Sequence, residues 1–490
     1  MEELFDISQY DTYKEDNRRE VKKAAGGLPN SLWETYSAFA NCYGGVIILG
    51  LKETTDKTWR TTGLKDADKL LKSFWDTINN RQKVSINLLR DGDVKVHHIG
   101  EDVVLVIYVP MAKREQKPVY INDDLFGSTF RRNHEGDYHC TKLQVKAMLR
   151  DQTENTCDMN VLDDVEMDEL NTETIQSYRH RHRTLKPAHP FGGLDDHEYL
   201  RKIGAAAISD ADKKLHPTAA GMLMFGDEFN IVRHFPEYFL DYREVLDPTI
   251  RWTDRLQSSS GEWSGNLCDF YFRVYNKITK DIKVPFKTQG GDRIEDTPVH
   301  EALREALANC LINADFYGNC GIVVRKEVDK LVFENPGYIR TGKEQMRLGG
   351  VSDPRNKSLM KMFNLISIGE RAGSGVPNIY KVWAEENLED PIIDERFDPD
   401  RTKLSLPFTK KQATKASDKN KRQKQATKNK RQKTSEHEQK LKDYLNIHGE
   451  SHIRALAEYV GLSSARTRAI LAEMPEVFAE GDRNKRTYHL

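Results

Sequence analysis

The sequence predicts a multidomain α+β protein, and three observations lead there. Its 490 residues suffice for three or four domains, each with a core of its own. Apolar runs of strand length, such as 46–51, 103–109, 321–324 and 331–334, are interspersed with segments of helical periodicity, such as 31–41 and 300–313. A Lys/Arg-rich stretch at 409–435, almost without hydrophobic residues, sets the last segment apart. The boundaries read as 1–152, a connector at 153–190, 191–408, a basic linker at 409–435, and 436–490.

Charged residues make up 31% of the chain, yet the net charge is −1, so only the local distribution of charge can name a partner. Six cysteines are scattered without a C-x-x-C pair, which fits a reducing cytosol and argues against a zinc site. The N-terminus is acidic and no apolar run approaches membrane-spanning length. The expectation is a soluble cytoplasmic protein with no membrane partner.

In the first segment, Leu32, Trp33, Tyr36, Phe39 and Ala40 fall at helical spacing, Gly44-Gly45 ends the helix, and 46–51 reads as a buried strand. The string Ser37-Ala38-Phe39-Ala40-Asn41-Cys42-Tyr43-Gly44-Gly45 with Gly50 resembles the Schlafen-type AlbA domain, supported by Glu20-Val21-Lys22, Pro118-Val119-Tyr120 and Phe130-Arg131-Arg132. The resemblance implies nucleic-acid binding, and in some members a metal-dependent endoribonuclease. Glu15 and Glu20 match the first two nuclease acids; at the third, Lys52-Glu53 stands where an Asp-rich turn is usual, leaving Glu53 as the substitute. A lysine beside a divalent cation opposes it, so binding without cleavage is expected. Lys22, Arg131 and Arg132 are the candidate phosphate contacts.

Residues 153–168 are acidic and polar and read as a connector, and His180, His182, His189 and His197 lack metal-ligand spacing, which reads as mixed basic surface. Thr297 and Pro298 then mark the start of a helix over 300–313, with Ala302, Leu303, Ala306, Leu307, Cys310 and Leu311 on its buried stripe. Glu305, Asn309 and Asn313 recur at every fourth position on another face. A carboxylate and a carboxamide one turn apart can orient a water and hold Mg2+; a solvated polar stripe has the same spacing. Two strands, ending in Asn335-Pro336-Gly337, precede Gly369-Glu370-Arg371-Ala372-Gly373-Ser374-Gly375, whose glycines allow a phosphate-binding nest.

This succession resembles the Bergerat-type (GHKL) ATP site, in the divergent branch often labelled helicase-like regulators, with its Glu-Ala-Leu-x-Asn helix, Asn-Pro-Gly turn and Glu-Arg-x-Gly-Ser-Gly lid. The resemblance implies ATP and Mg2+ as cofactors and a weak ATPase. Glu305 would be the catalytic acid, Asn309 the Mg2+ ligand, and Asn313, Asn335, Gly337, Gly373, Ser374 and Gly375 further nucleotide contacts. Asn335 stands where gyrase-type sites have Asp, and Ile339 replaces a Gly; an Asn carbonyl can still accept from an adenine amino group. Gly337 to Lys343 has P-loop spacing, but Glu344 follows where a hydroxyl is needed, which rejects the P-loop and a conventional motor helicase.

After the basic tract, the helical patterns at 439–447, 453–460 and 464–472 and strands around 477–479 and 486–490 look like a winged helix-turn-helix. Ser463 would cap the recognition helix, Arg466 and Arg468 would face DNA, and Arg483, Lys485 and Arg486 would reach phosphate from the wing. The whole reads as an ATP-binding, nucleic-acid-binding regulator of transcription or another DNA process, with DNA or RNA as partner and a homo-oligomeric state. Two alternatives stay open: a Schlafen-like ribonuclease in stress or phage defence, and an ATP-gated protein scaffold.

Overall fold

The apolar runs of the first segment become strands buried on both faces. Gly45–Leu49 lies parallel to Arg19–Lys22 and antiparallel to Asp102–Val109, and Val94–Ile99 completes a four-stranded sheet. Alternation sends Ile47, Leu49, Leu105 and Ile107 into a core with Tyr36 and Phe39 of the helix Ser31–Asn41. It sends Val46, Ile48, Val104 and Val106 into a second core with Phe5 and Trp59. Gly44 turns the chain between helix and sheet at φ +70°, and a Cβ there would lie 2.7 Å from the Val109 carbonyl oxygen, so no other residue fits. Asn41, buried at the helix end, accepts from the Val119 N–H (2.8 Å) and donates to the Val119 and Phe130 carbonyls (2.8 and 3.0 Å). That Asn is a clamp between segments.

This computed structural model describes residues 4–153, 155–247, 249–280, 288–289, 292–293, 297–369, 373–397, 399–411, 437, 439–472, 474, 477–480 and 487–489. The chain divides into two compact units, Met1–Lys410 and Lys411–Leu490. The connector expected at 153–190 is instead built into the first unit. Val165, Leu170, Ile175 and Tyr178 belong to its largest core. The Tyr178 hydroxyl donates to the Met362 carbonyl (2.6 Å), and Asp158 accepts from the Ser358 and Leu359 N–H groups (2.8 and 3.0 Å). The helix Thr172–Leu185 is polar overall but buries Thr174, Ile175, Tyr178, Arg179 and His182, a face that mean composition conceals. His182, expected on a basic surface, is buried against the Tyr199 hydroxyl.

The core of 191–408 is a six-stranded mixed sheet in the order Asp254–Gln257, Leu240–Val245, Ile322–Glu327, Lys330–Pro336, Asp400–Pro407, Ile392–Phe397. Leu240–Val245 and Ile322–Glu327 are parallel; the other neighbours are antiparallel. Ile322 and Val324 face the core, whereas Arg325 joins Glu334 (3.1 Å) on the other face, and Arg401 joins the same carboxylate (2.7 Å). The central helix Pro298–Ile312 buries Leu303, Leu307 and Leu311 and packs beside Leu267–Thr279, Lys357–Leu365 and Gly375–Glu385. Thr297 is its N-cap by position, but the Thr297 hydroxyl pairs with His300 (2.8 Å) rather than with a helix N–H.

The second unit has helices at 439–448, Ile453–Val460 and Ser464–Ala472 around Leu441, Leu445, Leu456, Val460, Ile470 and Leu471. A three-stranded sheet runs Ser451–His452, Thr487–His489, Phe478–Glu480. Of the basic linker, residues 412–435 lie outside the described residues, as do Arg483, Lys485 and Arg486 of the expected wing.

Within the first unit, the AlbA-like segment and the six-stranded region meet along a line of ion pairs. Arg355 donates to both oxygens of Asp151 (2.6 Å each), Arg131 reaches Asp400 (2.7 Å), Arg150 reaches Asp315 (2.7 Å), and Arg18 reaches Glu344 (2.9 Å). Burial alone would raise the Asp151 carboxyl, but Arg355 and Arg340 outweigh it and hold it below the usual range. Replacing Asp151 by Asn strands a buried guanidinium, and the expected loss is about 3–5 kcal/mol. Glu344 is 80% exposed, and Glu344→Gln should cost less than about 1 kcal/mol. Urea unfolding of the two variants tests this; equal midpoints would show that the Asp151–Arg355 pair does not hold the seam.

Candidate functional site

The polar face of the central helix looks into a cavity of about 150 Å3, whose wall includes Glu305, Asn309, Asn335, Arg340, Gly373 and Gly375. Three distant stretches therefore meet: a helix face, the end of the strand Lys330–Pro336, and the glycine loop. The Asn309 amide nitrogen donates to Glu305 Oε1 (3.0 Å), which turns the Asn309 carbonyl oxygen away from the carboxylate. A hard oxygen of that kind suits a hydrated Mg2+ ion. Gly375 begins the helix Gly375–Glu385, and a Cβ there would fall 1.8 Å from Glu305 Oε1. Glycine at 375 is thus what lets the helix N-terminus close on the acid, where its N–H dipoles favour negative charge. Glu370, Arg371 and Ala372 lie outside the described residues.

The remaining expected contacts divide. Asn335 is buried on the cavity wall, with its amide nitrogen bonded to the Pro336 carbonyl (3.1 Å). Its side-chain oxygen is thereby left as the acceptor. Asn313 lines the cavity, and its carboxamide donates to the Asn309 backbone carbonyl (3.0 Å) and accepts from the Arg355 N–H (3.4 Å). Asn313 also closes the central helix as its C-cap. Gly337 and Ser374 flank the cavity without lining it; a Cβ on Gly337 would lie 3.0 Å from the Arg355 guanidinium.

Arg340 and Arg355, both on the wall, were not singled out by the sequence. Arg340 donates to the Pro354 carbonyl (3.1 Å) and pairs with Asp353 (3.3 Å), its side chain only 4% exposed. The Asp353-Pro354-Arg355-Asn356 string carries no periodicity, so pattern reading had nothing to act on. The stretch with P-loop spacing does line the cavity, but as a wall: the Ile339 N–H is given to Glu395 (2.8 Å).

In the AlbA-like segment the three acids do come together. Glu15 folds back so that its Oε1 accepts from the Val21 N–H (3.1 Å), and its own N–H donates to Glu53 (3.3 Å). Cations sit among them, however. Arg132 and Lys22 pair with Glu20 (2.8 and 2.9 Å), and Lys57 pairs with Glu53 (3.1 Å). Lys52 is exposed on the strand Leu51–Glu53, so the opposing charge comes from Arg132, Lys22 and Lys57 rather than Lys52. Carboxylates already neutralised in this way do not fit a divalent cation. Lys22, Arg131 and Arg132, the expected phosphate contacts, are engaged in ion pairs: Arg131 and Arg132 are 7% and 2% exposed and reach Asp400 and Glu20, and Lys22 is held by Glu20.

The chain matches three family models, each shorter than half its length: "Schlafen, AlbA_2" over 12–141, "Domain of unknown function (DUF8451)" over 146–241, and "Putative ATP-dependent DNA helicase recG C-terminal" over 320–404. The central helix falls between the second and third of these. No curated protein matches. Among solved structures, the DIP2311 protein from Corynebacterium diphtheriae is 18% identical over 97% of this chain and 92% of that one, with a TM-score of 0.41. The N-terminal domain of a putative ATP-dependent DNA helicase RecG-related protein from Nitrosomonas europaea is 28% identical over 27% of this chain and 90% of that one, with a TM-score of 0.22.

Glu15 provides a test of the acid cluster. Burial, then Glu20 and Glu53, push its carboxyl from 4.5 up to about 7. Because the folded pKa is the higher one, its stability contribution is full below the unfolded value and declines as pH rises through the folded one. Relative to Glu15→Gln, which keeps an oxygen for the Val21 N–H, the wild type should lose stability from pH 4.5 to about 7 and level off above. Parallel denaturation curves at every pH would refute the cluster. What the comparisons establish is an AlbA_2-type domain and a RecG-like C-terminal segment in one mixed α/β chain.

Proposed function

We propose that the chain is a nucleotide-binding regulator associated with nucleic acid, built on a Bergerat-type ATP site and a C-terminal winged helix. The observation that carries this reading is the cavity in which Glu305, Asn309, Asn335 and Gly375 converge from separate elements. In it, ATP would supply the phosphates and Mg2+ the counter-charge. Asn309 would present its carbonyl oxygen to the cation, Glu305 would hold a water against the terminal phosphate, and Asn335 would accept from the base. The backbone N–H groups that open Gly375–Glu385 would face the phosphates. The names of the matched RecG-type and Schlafen-type models support a link to nucleic acid. The ribonuclease alternative loses support from the cations paired with Glu20 and Glu53. No described helix is long and apolar enough to cross a membrane.

Calorimetry of the full chain with Mg2+ and ATP tests the site. Asn309→Ala should abolish Mg2+-dependent binding, whereas Glu305→Gln should bind as wild type and lose any hydrolysis. Equal ATP affinity in wild type and Asn309→Ala would remove the assignment.

For nucleic acid, the supporting surface is in the second unit. Arg466 and Arg468 are exposed on Ser464–Ala472, and Ser463 accepts from the Arg466 N–H (3.3 Å) as the helix cap. Deleting 409–490 should remove most duplex-DNA affinity, and the salt dependence of what remains should flatten. Gel shifts at two salt concentrations check this; unchanged affinity would move DNA binding to the first unit.

A further inference from the structure

Beyond Pro354 and Met360, which also line the first cavity, lies a second cavity of about 250 Å3 lined by Lys186, Lys357, Lys361, Asn364 and Leu365 as well. Its seven lining residues include three lysines and no carboxylate. Lys186 comes from the end of the helix Thr172–Leu185, and the other two from Lys357–Leu365, so separate elements converge. The Lys186 ammonium donates to the Asn364 carbonyl (2.9 Å), and the Lys361 ammonium to the Lys202 carbonyl (2.6 Å). These bonds orient the two cations but leave their charge in place.

Two further facts connect this cavity to the first. Asn364 reaches the glycine loop: a Cβ on Gly369 would lie 3.6 Å from the end of its carboxamide and 3.9 Å from Glu305 Oε2. The lysine cavity therefore adjoins the Glu305 end of the first cavity, whereas Asn335 and Thr402 belong to the sheet end. Size points the same way. The first cavity, about 150 Å3, falls short of the roughly 300–1,000 Å3 of ordinary ligand pockets, and the two together reach that range.

We propose that the Lys186–Lys361 cavity receives the terminal phosphates of a nucleoside triphosphate whose base lies against Asn335. This rests on the nucleotide reading above and names the phosphate subsite of that same ligand. A polyphosphate tail carries the charge that oriented, carbonyl-anchored ammonium groups lack, and lysine binds phosphate as a point charge without demanding one geometry. AMP ends before the lysines and gains nothing from them. Discrimination between triphosphate and monophosphate therefore lies with Lys186 and Lys361, side chains outside the glycine loop.

The test is calorimetry on the full chain with Mg2+, using ATP and AMP as separate probes, for wild type, Lys186→Ala/Lys361→Ala and Lys186→Arg/Lys361→Arg. The alanine pair should weaken ATP binding about tenfold or more, as loss of charged hydrogen bonds does, with AMP affinity unchanged and the arginine pair close to wild type. Wild-type ATP affinity in the alanine pair overturns the lysine subsite and leaves the nucleotide site standing. So does an equal loss for ATP and AMP, which would mean that the wall had collapsed. Failure of the wild type to bind either nucleotide overturns both readings.

Discussion

The buried pair of Asp151 and Arg355 is the constraint on which the first unit depends. Arg355 donates to both Asp151 oxygens, to the Asn313 carbonyl (3.2 Å) and to the Tyr338 carbonyl (3.1 Å), and lies over the Tyr338 ring at 5.3 Å. One guanidinium thus fixes the last helix of the AlbA-like segment, the end of the central helix and the chain leaving the sheet. A cation at a helix C-terminus is also favoured by the carbonyl dipoles there. Only a planar, permanently charged fork can serve all of these partners, and Lys at 355 could not.

The same residue forms part of the cavity wall, so seam and site are physically continuous. Tyr338 is approached by Lys117 and Arg131 of the AlbA-like segment as well, at 5.7 and 5.6 Å. Tyr43, in the motif that carries the AlbA resemblance, bonds Glu395, which in turn accepts from the Ile339 N–H on the cavity wall. Arginines that a sequence reader assigns to phosphate are here consumed by carboxylates of the neighbouring region. Burial explains the outcome: a charge that leaves water must be paired, and the nearest available acids are on the other side of the seam.

The acid clusters of the two regions differ in the company they keep. Glu305 accepts from the Asn309 amide nitrogen and lies against the start of the helix Gly375–Glu385. Glu20 and Glu53 face Arg132, Lys22 and Lys57, groups that replace a metal cation. Clustering of acids is therefore not sufficient for metal chemistry, and the neighbours decide it.

Much was legible in the chain itself. Periodicity located the central helix and placed Glu305, Asn309 and Asn313 on one face, because a helix fixes the direction of side chains four residues apart. The apolar runs at 46–51 and 103–109 marked strands buried on both faces, and Gly44 marked a turn that only glycine can make. These features are local, set by backbone geometry and by the pattern of apolar residues. Only the tertiary structure decided what each polar side chain does. It gave Asn313 the end of the central helix to cap, drew Arg131 and Arg132 into ion pairs, absorbed the acidic connector into the core, and brought Arg340 and Arg355 to the cavity. The reason is that a charged group's role depends on its nearest partner in space, and those partners lie as far apart in sequence as Asp151 and Arg355.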